Sequence, residues 1–74
     1  MHVELLDVSS GNEEVYGTVR MDNGQVVVEG DVPARVKRDI EFERRHTDVG
    51  DEAFLLRLEQ RVFTGRYLRA RFVK

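Results

Sequence analysis

The residues able to do chemistry are few, and their spacing is wrong for it. There are two histidines, His2 and His46, and no cysteine. No thiolate can therefore attack a substrate or ligate a metal. His2 and His46 lack ligand spacing, and a structural metal needs about four ordered ligands. Ser9 and Ser10 stand in the turn cluster Ser9-Ser10-Gly11-Asn12 with no histidine nearby in sequence. The paired carboxylates Glu13-Glu14 and Asp51-Glu52 are adjacent, so in regular structure each pair points apart and cannot work as an acid–base dyad. The glycines at 11, 17, 24, 30, 50 and 65 are scattered rather than gathered into a phosphate cradle. A catalytic cleft is also hard to build from 74 residues. The expectation is a protein that is not an enzyme, with no catalytic residues, no cofactor, no metal and no small-molecule substrate.

What remains is a set of arginines interleaved with aromatics. Arg61, Arg66, Tyr67, Arg69, Arg71 and Lys74 crowd the C-terminal stretch, and Arg35, Lys37, Arg38, Arg44 and Arg45 form a second basic run. Residues 67–73 alternate cleanly, with Leu68, Ala70 and Phe72 on one face and Tyr67, Arg69, Arg71 and Val73 on the other. That is the pattern of a half-buried strand. A ring between guanidinium groups can stack a base and hold phosphates, or it can anchor a protein contact.

The elements that must position these residues are legible from a hairpin signal. Asn23-Gly24 divides two alternating apolar runs, Val15–Met21 and Gln25–Gly30, as a two-residue hairpin turn requires. Asp22 should then face Gln25, Met21 face Val26, Arg20 face Val27 and Val19 face Val28. Directly opposed residues share a face. Val15, Val19, Met21, Val26 and Val28 are thus expected on the buried face. Tyr16, Thr18, Arg20, Val27 and Glu29 are expected on the polar face. Residues 2–8 read as a preceding strand with Val3 and Leu5 inward.

After residue 30 the period changes. Asp31 reads as an N-cap with Pro33 in the first turn, and Val32, Val36 and Ile40, with Phe42 to one side, give a narrow helical edge up to about Arg45. Thr47 or Asp48 can cap a second helix over 51–62, whose stripe is Phe54, Leu55, Leu58 and Val62, with Gly65 ending it. The whole of 1–74 reads as one α+β domain. The order is βββααβ: an antiparallel three-stranded β-meander, two helices on one face of the sheet, and a C-terminal strand completing it.

Charge separates the function classes. The formal net charge is −2, but residues 1–32 carry seven acidic residues and one basic, whereas residues 33–74 carry seven acidic and eleven basic. Such polarity can steer a partner or align copies of the chain. The overall pI of about 5.6 weighs against a dedicated nucleic-acid binder, which is usually basic. Glu4, Glu13 and Glu29 stand ready as cross-strand partners for the arginines. The first expectation is a protein-interaction module, with a protein partner or self-association through Tyr16, Arg20, Tyr67, Arg69 and Arg71. The alternative is a weak nucleic-acid binder using the arginines of the last strand. No apolar run approaches a membrane span, and Met1-His2-Val3-Glu4 is unlike a signal peptide, so a cytoplasmic location without membrane contact is expected.

The pattern Val15-Tyr16-Gly17-Thr18-Val19 before Asn23-Gly24, followed by Phe54-Leu55-Leu56-Arg57-Leu58 and then Phe63-Thr64-Gly65-Arg66-Tyr67-Leu68-Arg69-Ala70, resembles a loose class of short bacterial and phage-associated α+β proteins. The resemblance covers about residues 15–71. It implies a bacterial or phage origin, and an accessory or regulatory role, or an oligomeric phage structural component, stands beside it as a further expectation. It implies no established activity, and it transfers no functional residue.

Overall fold

The computed structural model describes residues 1–60 and 68–74. Three strands come first, β1 (His2–Asp7), β2 (Glu14–Asp22) and β3 (Gln25–Gly30). Helices α1 (Ala34–Arg45) and α2 (Asp51–Gln60) follow, then strand β4 (Leu68–Val73). The sheet is antiparallel throughout, in the order β3-β2-β1-β4. This is the expected α+β meander completed by the last strand. Tyr67, Val62 and the helix stop at Gly65 lie outside the described residues.

Asn23 and Gly24 both have positive φ, 51° and 80°, the signature of the turn that matches strand twist. The turn sets the register expected from the sequence: Asp22 opposes Gln25, Met21 opposes Val26, Arg20 opposes Val27 and Val19 opposes Val28. The far end of this hairpin is pinned by two glycines. Gly17 opposes Gly30, and a Cβ on Gly17 would run into Val32 Cγ2 and lie 2.8 Å from Glu29 O. Only a bare backbone lets the chain after β3 fold back this closely.

One strand departs from simple alternation. Leu5 opposes Gly17 but Leu6 opposes Val15, so β2 carries a bulge with Tyr16 as the extra residue. An extra residue reverses the facing of everything beyond it. This corrects two expectations. Val15, expected in the core, is 50% exposed. Tyr16, expected on the polar face, packs against the core instead.

The core joins Val3, Leu5 and Val19 of the sheet to Val36 and Ile40 of α1 and Phe54, Leu55 and Leu58 of α2, all fully buried. Leu68, Ala70 and Phe72 of β4 pack against it from the expected face. Val36 and Ile40 are one helical turn apart, and the rest of α1 is largely polar, so this helix contributes a narrow stripe. Phe42 stays outside, stacked on His46 at 4.0 Å between ring centroids. Asp51 and Glu52 occupy the first turn of α2, where the helix dipole favours negative charge. Asp31 does not cap α1. Its N–H donates to Tyr16 O at 2.9 Å, so the chain is still tied to β2 there, and Pro33 takes the cap position without a side-chain cap.

Candidate partner-binding face

The helices cover one face of the sheet, with α2 on β4, β1 and β2 and α1 on β3. The opposite face is built by alternation and register. Glu29, Thr18, Glu4 and Arg71 follow one another across all four strands, as neighbours on one side of a sheet must. Val27 and Arg20 oppose one another on that same side. Beyond the bulge, Leu6 lies between Val15 and Arg69.

Two arginines of this face, Arg71 and Arg20, are joined to carboxylates from other positions in the chain. Arg71 Nη2 and Nε donate to Glu4 Oε1 at 2.7 and 3.1 Å, and Arg71 Nη1 lies 3.8 Å from Glu13 Oε2. Arg20 Nε donates to Glu29 Oε1 at 2.9 Å. The Arg71 side chain is nonetheless 48% exposed. Hydrogen bonding to Glu4, followed by that carboxylate's charge, holds the Arg71 guanidinium above its ordinary range. Arg69 is exposed and has no ion pair among the described residues.

The five candidate residues are thus divided. Arg20, Arg69 and Arg71 share the open face. Tyr16 does not join them: it is half-buried, and its enclosed hydroxyl has no hydrogen-bond partner among the described residues. Burial, and then the charge of Asp7, raise the Tyr16 phenol above its ordinary range. Tyr67 lies outside the described residues. Thr18 lies on this face as expected, Val15 joins it through the bulge, and Leu6, on the same side, is buried. The glycine after Tyr16 was the available signal, because a glycine inside a strand often marks a bulge.

The second basic run also divides. Arg35, Lys37, Arg38 and Arg45 are exposed on α1, but Arg44 is a structural clamp. Its Nε and Nη2 donate to Gly24 O at 3.2 and 3.1 Å. Its Nη1 donates to Val49 O at 2.9 Å and to Thr47 O at 3.4 Å, and the guanidinium lies 5.4 Å from the centre of the Phe54 ring. Beside this clamp, Gly24, Gln25, Val26, Arg38, Glu41 and Arg45 line an open groove of about 410 Å3.

Among the described residues, no group of three or more histidine and carboxylate side chains is placed to hold a metal ion. No helix there is long and apolar enough to cross a membrane. Comparison of the chain with protein-family models, with curated proteins and with solved structures finds no match in any of the three.

Proposed function

We propose that this protein is a non-enzymatic protein-interaction module that uses the helix-free face of its sheet, as a small bacterial or phage-associated accessory protein would. The observation that carries the reading is the charge balance of that face. Arg20 is matched by Glu29, and Arg71 by Glu4 and Glu13. A phosphate track needs guanidinium groups left free for phosphate. Here Arg69 has no carboxylate partner among the described residues, and it shares the face with the exposed Val15 and the paired Arg20 and Arg71. Mixed apolar, arginine and paired-charge surface suits a protein contact better than a nucleic-acid backbone.

The test has two arms. A labelled single-stranded oligonucleotide of mixed sequence is titrated at low and at physiological salt. Separately, affinity capture compares the wild type with Arg69→Glu plus Val15→Asp, and with Lys37→Glu on the helical side. Expected are negligible oligonucleotide binding and a protein partner recovered by the wild type and Lys37→Glu but lost with the open-face pair. Tight oligonucleotide binding that collapses with added salt and with Arg69→Glu plus Arg71→Glu would establish the nucleic-acid alternative instead.

A further inference from the structure

The two edges of the sheet are treated differently. In the hairpin, Asp22 and Gln25 close a two-residue turn and so form a hydrogen-bonded pair. Counting along β3, Val27 and Glu29 direct their backbone groups to β2, while Val26 and Val28 direct theirs outward. The same count carried across β2 and β1 turns the Phe72 backbone of β4 outward on the other edge. There the Phe72 N–H donates to Glu59 Oε2 of α2 at 2.6 Å, and the edge is blocked at that point. At the β3 edge no side chain of the described residues takes the Val26 or Val28 backbone. Gln25-Val26-Val27-Val28-Glu29-Gly30 also has no proline, lysine or bulge, the usual devices against added strands.

We propose that the β3 edge, together with the groove between β3 and α1, receives an extended protein segment carrying acidic side chains. The segment's backbone pairs with Val26 and Val28, as in strand addition. Its alternate side chains then lie towards α1, where the groove presents Arg38 and Arg45 against the single carboxylate Glu41. Arg44 is already committed to Gly24 O and Val49 O. A second copy of this chain fits the edge poorly. Antiparallel pairing of two β3 strands has its twofold axis perpendicular to the sheet, so both α1 helices fall on the same side. Their exposed Arg35, Arg38 and Arg45 would face one another, which repels. This site is distinct from the open face and stands without it.

The probes are two short fluorescein-labelled peptides, one alternating glutamate with threonine and one alternating lysine with threonine. The acidic peptide is expected to bind at least about tenfold tighter at low salt. Arg38→Glu plus Arg45→Glu removes that preference, whereas Arg69→Glu, on the open face, leaves it unchanged. Amide hydrogen exchange on the wild type locates the contact. Saturating acidic peptide slows Val26 and Val28 by about tenfold or more, while Val27 and Glu29 are already protected without it. Equal affinity for the two peptides overturns the proposal, as does saturation without slowing at Val26 and Val28. So does concentration-dependent protection of these amides in a peptide-free dimer, which would seat a second copy on the edge.

Discussion

Arg44 should be the most costly surface arginine to replace, because its fork closes the β2–β3 turn onto the α1–α2 connection. The side chain is 20% exposed. The bond to Val49 O is charge-assisted and part-buried, and such a bond contributes about 1.5–2 kcal/mol. The two bonds to Gly24 O share one acceptor in an exposed turn, which water re-satisfies after removal, so they contribute about 0.5–1 kcal/mol. The cation over Phe54 adds about 0.5–1 kcal/mol. Asp51, at 4.0 Å, adds little. Arg44→Met keeps the apolar stem and should lose about 3 kcal/mol. A domain of this size holds about 4–11 kcal/mol in total, so Tm should fall by about 12–24 °C. Arg44→Lys should lose about half as much, because one ammonium cannot reach Gly24 O and Val49 O together. Urea denaturation followed by far-UV circular dichroism reads both variants. Arg44→Met within about 1 kcal/mol of the wild type, or Arg44→Lys equal to it, would make this guanidinium an ordinary surface charge and refute the clamp.

Two other positions carry predictions of opposite sign. Tyr16→Phe removes a buried hydroxyl that has no partner among the described residues, and should stabilise the fold by about 1 kcal/mol in thermal or urea unfolding. Because the folded state holds the Tyr16 proton more tightly than the unfolded chain, wild-type stability should fall as pH rises past about 10. That part of the pH profile should flatten in Tyr16→Phe, and an unchanged slope would place the phenol in water. Gly17→Ala drives a methyl towards Val32 Cγ2 and Glu29 O and should cost about 2–4 kcal/mol. Gly50→Ala, with open space around it, should stay within about 0.5 kcal/mol of the wild type.

What the sequence makes legible and what it hides divide along one physical line. The β2–β3 register follows from two residues, because Asn23 and Gly24 adopt the positive φ angles that a twisted two-residue turn demands. The alternation of β4 survives for a similar reason: Leu68, Ala70 and Phe72 have one buried face to serve. The carboxylate partners Glu4, Glu13 and Glu29 were also legible, once opposed strands were assumed. The bulge at Tyr16 was marked only by Gly17, and a glycine inside a strand does not say which neighbour is the extra residue. Arg44 was equally hidden. In sequence it is one cation among several, and its role exists only where Gly24 O and Val49 O converge. The same line bears on function. Pairing of Arg71 and Arg20 with carboxylates reduces what the open face can offer to phosphate. Glu59 blocks β4 at Phe72, whereas the valine-rich β3 keeps outward backbone groups beside Arg38 and Arg45. A strand added at β3 would meet both a hydrogen-bonding edge and a matching charge. One added at β4 would first have to displace a carboxylate from an amide it already holds.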